Sequence, residues 1–181
     1  LRCSKVADQF KPETLVFGAP KLRDPAGMDA AQAYAQGVAF FHKLGEELAT
    51  HSNAIVTIEP VAPHHGGTFL TTHAQTAAFV RSVNHPRIRL QFDLGCWIAQ
   101  QENIELLAGY VPIIAHSHIS APDLGCIEPP IVAAARACYG IMHKAGYNGA
   151  ISVEMLESKL GEHWLNAIDE AQFSNIFGSE K

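Results

Sequence analysis

The stretch VPIIAHSHIS (111–120) passes from an apolar run into two histidines separated by one residue. In an extended strand alternate side chains share a face, so His116 and His118 point the same way near the strand's end. Neutral imidazole is a common metal ligand whose second nitrogen is held by an outer partner, so one histidine can ligate while the other supports it. The plainer reading of the same spacing is two partly buried, hydrogen-bonded histidines at a strand end. The rest of the chain has to decide between them.

Four further runs share the strand-like character: TLVFGAP (14–20), NAIVTIEPV (53–61), RIRLQFDLG (87–95) and GAISVEML (149–156). Most are apolar continuously rather than alternately, which suits parallel strands covered on both sides. Helix-like segments separate them. Residues 29–50 are rich in helix formers and set Val38, Phe41, Leu44 and Leu48 at helical spacing. Thr71 or Thr72 is a cap for a helix through AQTAAFVRSV, and Pro129 and Pro130 open one through IVAAARACYGIMHKAG that Gly146 ends. QQENIELLAGY (100–110) is helix-compatible, and LGEHWLNAIDEAQF (160–173) reads as a last covering helix. The order βαβαβαβαβα predicts an α/β fold with a parallel sheet, either doubly wound or part of a barrel. A phosphate-binding glycine fingerprint is absent, because His64-His65-Gly66-Gly67 lacks the required spacing.

A chain of 181 residues fits a single domain, 1–181, with a real core. Its net charge of −5, without any cluster of lysine and arginine, argues against nucleic acid as a partner. No apolar segment has membrane length, and the four cysteines form no CxxC pair, so the expected setting is reducing and cytoplasmic. The chain begins at Leu1, close to a strand-like segment, and the domain is expected to be incomplete at its N-terminus.

Each of the last four runs ends in a side chain competent to bind metal: Glu59, Asp93, His116 or His118, and Glu154. In parallel α/β folds the carboxyl ends of the strands converge on the functional face. Three carboxylates so placed repel one another and resist desolvation unless a cation or proton offsets their charge. Taken singly, Glu59 before Pro60 and Asp93 before a turn have ordinary explanations. Glu154 is harder to dismiss, because it interrupts the apolar SVEML, where an unpaired carboxylate is costly.

The motifs LVFGAPKLRD, the IEP around Glu59 followed by GGTFLTTHAQTAAFVRSVNHPRIRLQFDLG, then HSHISAPDL and GYNGAISVEM are carried in family order. Over essentially its whole length the chain resembles the sugar phosphate isomerase/epimerase family with the xylose-isomerase-like TIM barrel. It looks most like the ketose 3-epimerases and, more distantly, endonuclease IV. The resemblance implies a parallel (β/α) barrel of which this chain carries the last five of eight βα units. It implies one divalent ion (Mn, Mg, Co or Zn) held by Glu59, Asp93, His118 and Glu154, with Glu59 and Glu154 as the acid/base pair. His65 and His116 then fall near substrate. Two departures weaken the sugar-specific part: Cys96 stands where such epimerases often carry histidine, and no basic residue follows His118 in ISAPDLGCIEPP.

The expected activity is isomerisation or epimerisation of a small sugar or sugar derivative through an enediolate. A sugar-acid or inosose dehydratase of the same family is the near alternative, and a non-catalytic metal- or ligand-binding protein is the distant one. A five-stranded piece of a barrel leaves open edges and uncovered apolar faces, so a homo-oligomer is expected.

Overall fold

In a computed structural model, residues 9–160 are described, and the expected helix at 160–173 lies almost wholly outside them. Five strands, β1 (Thr14–Phe17), β2 (Ile55–Ile58), β3 (Ile88–Asp93), β4 (Ile114–Ser120) and β5 (Ala150–Glu154), form one sheet in the order β1-β2-β3-β4-β5. Neighbours in sequence are neighbours in the sheet, as barrel-type βα repetition requires. The registers of β1 on β2 and β2 on β3 are parallel, with Thr14 opposite Ile55 and Val56 opposite Ile88. Each expected strand is present, and each is shorter than its apolar run.

The helices are α1 (Ala30–Ala49), α2 (His73–Val83), the short α3 (Leu94–Ala99), α4 (Pro129–Lys144) and α5 (Glu157–Leu160). Among the described residues, no helix is long and apolar enough to cross a membrane. The segment 100–110 closes as a 3-10 helix, Ile104–Gly109, rather than an α-helix.

The chain divides into two compact units, and residues 9–92 with 113–116 fall in the first. Asp29 starts α1 by accepting from the amides of Ala31 and Gln32 at 3.0 and 3.2 Å, which satisfies donors a helix start leaves orphaned. Of the two candidate threonines, Thr72 caps α2, accepting from the Gln75 amide at 3.2 Å. Gln75 Oε1 in turn accepts from the Thr71 amide at 2.9 Å, so the two side chains close the helix start reciprocally.

Phe41 and Leu48 of α1, Phe79, Val80 and Val83 of α2, and Val56, Ile58 and Ile88 of the sheet form one buried cluster. Phe41 meets Phe17 and Phe79 edge-on, with centroids 5.3 and 5.8 Å apart. Each such side chain contributes about 1.5–3 kcal/mol through burial, so this cluster fixes which face of β2 and β3 meets the helices. The residues between them turn to the opposite face. There Thr57 and Gln91, both fully buried, join by an Oγ1 to Oε1 hydrogen bond of 3.0 Å. The strands therefore alternate apolar and polar more than continuous apolar runs suggest, and the polar face is the one that ends in Glu59 and Asp93.

The second unit takes in residues 93–112 and 117–160 of the described chain. Pro129 opens α4, and Ala135, Cys138, Tyr139 and Met142 are its most buried residues. Tyr139 shares a hydrogen bond with Ser117 of β4, which ties that helix to the strand face opposite His118. Burial pushes the Cys138 thiol up to about 11 and the Tyr139 and Tyr147 phenols well above their ordinary range, so all three stay neutral. After α4 the chain turns at Gly146, whose φ of 91° suits glycine.

Candidate metal centre

Asp93 is the last residue of β3 and also the N-cap of α3. The sequence DLG reads as a turn, but the chain goes directly from strand to helix there. Asp93 Oδ1 accepts from the Cys96 amide at 2.6 Å, and Oδ2 accepts from Ser120 Oγ at 2.6 Å. Ser120 accepts in turn from the Gly95 amide at 2.9 Å. This approach requires a glycine, since a Cβ at residue 95 would lie 2.6 Å from the Ala121 carbonyl oxygen and 2.8 Å from Ser120 Oγ. Both carboxylate oxygens of Asp93 are thus oriented by groups that sequence reading left out. The only signal for Ser120 was its place two residues beyond His118, on the same strand face.

His118 and Glu154 stand on β4 and β5. His118 Nδ1 lies 3.0 Å from Glu154 Oε2, with side chains 12% and 42% exposed. The contact pairs an imidazole on β4 with a half-exposed carboxylate at the end of β5. Glu59 directly follows β2, and its amide donates to the Phe17 carbonyl at 3.1 Å. Arg23 Nη1 donates to the Glu59 carbonyl at 2.6 Å.

One ligand atom from each of Glu59, Asp93, His118 and Glu154 lies within 4.8 Å of the others. Among the described residues this is the one group of three or more histidines, cysteines or acids so gathered, and neither His116 nor His65 belongs to it. His116 is buried at 7% exposure. His65 lies exposed in the 3-10 turn Pro63–His65, its ring 4.1 Å from that of His64. Cys96 is buried, and it reaches the centre through its backbone amide, which donates to Asp93 Oδ1. Three carboxylates and one imidazole at this spacing are a donor set that can hold a divalent cation.

Comparison with known proteins places this geometry in context. The family model described as xylose isomerase-like TIM barrel matches residues 2–174. No curated protein sequence matches. Among solved structures, a D-allulose 3-epimerase from Methylomonas sp. superposes with a TM-score of 0.71 at 16% identity over 92% of this chain and 58% of its own. An L-ribulose 3-epimerase gives 0.68 at 16% identity, over 99% of this chain and 58% of its own. A family 2 AP endonuclease from Brucella melitensis gives 0.64 at 19%, over 92% and 67%. At such identities the likeness is one of fold. This chain spans less than two thirds of the length of the two epimerases.

Proposed function

The chain belongs to the xylose isomerase-like TIM barrel family, and we propose that it is a metal-dependent isomerase or epimerase of a small sugar or sugar derivative. The observation that carries this reading is the convergence of Glu59, Asp93, His118 and Glu154 within 4.8 Å. The epimerase names of two fold neighbours add support. A divalent cation bound there would polarise a substrate carbonyl and lower the cost of negative charge on the adjacent oxygens.

The chain's own residues supply the proton transfers. Glu59 and Glu154 come from non-adjacent strands, so they can address a substrate carbon from two sides. One takes the proton beside the carbonyl, and the other returns it to the opposite face. Asp93 has both oxygens engaged by Ser120 and the Cys96 amide, which leaves it to serve as a ligand rather than a proton carrier.

Solvent exchange tests the proposal. The protein is loaded with Mn²⁺ and incubated in heavy water with a panel of ketopentoses and ketohexoses, and proton NMR follows the carbon beside the carbonyl. Deuterium at that carbon is the expected result. Loss of water from the substrate instead would assign a dehydratase, and no exchange across the panel would leave the chain a binding protein.

A further inference from the structure

Gly18 directly follows β1, and a Cβ placed on it would stand 2.6 Å from Glu59 Oε2 and 3.7 Å from Glu59 Cδ. The next nearest atom is Val61 Cγ2 at 3.9 Å, an ordinary contact. Gly18 is not among the glycines of positive φ, so alanine would meet no backbone strain there. The missing side chain at residue 18 therefore secures one thing, the space taken by the Glu59 carboxylate.

The backbone of Glu59 has little freedom to yield instead. Its amide is held by the Phe17 carbonyl at 3.1 Å, and its carbonyl by Arg23 Nη1 at 2.6 Å. Phe17, Gly18 and Arg23 belong to the end of β1 and the loop behind it. That one segment fixes both backbone groups of Glu59 and leaves a slot for its carboxylate. A methyl group in the slot would push the carboxylate aside, because the backbone of Glu59 is held at both its amide and its carbonyl.

We propose that Gly18 is a positioning residue: its bare α-carbon sets the Glu59 carboxylate where it can ligate a cation and reach a substrate proton. This rests on the reading of Glu59 as ligand and base, and nothing in the ligand pattern itself points to residue 18.

The test is a double-mutant cycle read by Mn²⁺ titration calorimetry, with thermal unfolding alongside. Gly18→Ala should weaken Mn²⁺ binding about tenfold, the usual cost of disturbing a group that orients a metal ligand, while its melting temperature stays with the parent's. In the Glu59→Ala background the same substitution should change the affinity no further. Equal affinity of Gly18→Ala and parent would overturn the proposal, as would an equal loss in both backgrounds. If the parent binds no Mn²⁺, the metal reading itself fails, and crystal structures of parent and Gly18→Ala decide the positioning role. A carboxylate displaced from residue 18 upholds it, and one that has not moved rejects it.

Discussion

His118 Nδ1 and Glu154 Oε2 lie 3.0 Å apart, so the imidazole of β4 holds in place the carboxylate that ends β5. The contact gives Glu154 two partners in competition, since a cation at the centre and the imidazole both attract the same oxygens. Glu154→Gln keeps the shape and one ligating oxygen but cannot accept a proton. At saturating Mn²⁺ it should abolish heavy-water exchange while substrate still binds. An exchange rate within a few-fold of the parent would reduce Glu154 to a ligand.

Ser120 is fully buried, and it joins Asp93 Oδ2 to the Gly95 amide. Ser120→Ala strands a buried donor and removes one orienting bond from the carboxylate. Denaturant unfolding should show a loss of about 1–3 kcal/mol, the cost of leaving such a group unsatisfied. Mn²⁺ affinity should fall as well, and Ser120→Thr should recover part of both. Unchanged affinity would mean that the Ser120 bond does not orient Asp93 for the cation.

The Cys138 thiol is raised by burial to about 11. Its unfolded form deprotonates first on raising the pH, so between the ordinary thiol range and 11 the folded state holds the proton more tightly. The corresponding stability is present at neutral pH and is lost as pH rises through that window. Tyr139 and Tyr147 are shifted in the same direction, so the thiol is isolated by comparing parent with Cys138→Ala. Thermal unfolding from pH 8 to 10.5 should decline more steeply in the parent. Parallel declines would show that the thiol is not held neutral by burial.

Strand β1 ends the sheet order, and Val16, Leu22, Met28 and Phe40 around it are 40%, 81%, 40% and 60% exposed. An end strand with exposed apolar side chains invites association. Light scattering should find this 181-residue chain self-associated, and Leu22→Lys with Phe40→Glu should shift it toward monomer. A monomeric parent that unfolds cooperatively would contradict the expectation.

The fold was legible where apolar runs and caps coincide: Asp29, Thr72 and Pro129 each open the helix their residue type suggests. DLG carries a local turn signal at Asp93, whereas its carboxylate starts α3 by accepting from the Cys96 amide. The four residues now gathered within 4.8 Å were visible as polar endings of successive strands. Ser120, Gly18 and Arg23 were not, because each acts through an interaction 25 or more residues away in sequence, and no local pattern records such a contact.

The central claim is a single cation held by Glu59, Asp93, His118 and Glu154. Titration calorimetry of the metal-stripped chain with Mn²⁺ tests it most directly. One site per chain is expected, with weakened but measurable binding in Glu59→Ala, loss of binding in Asp93→Ala and His118→Ala, and affinity close to the parent's in His116→Ala. Binding that survives His118→Ala but not His116→Ala, or no binding to the parent, would contradict it.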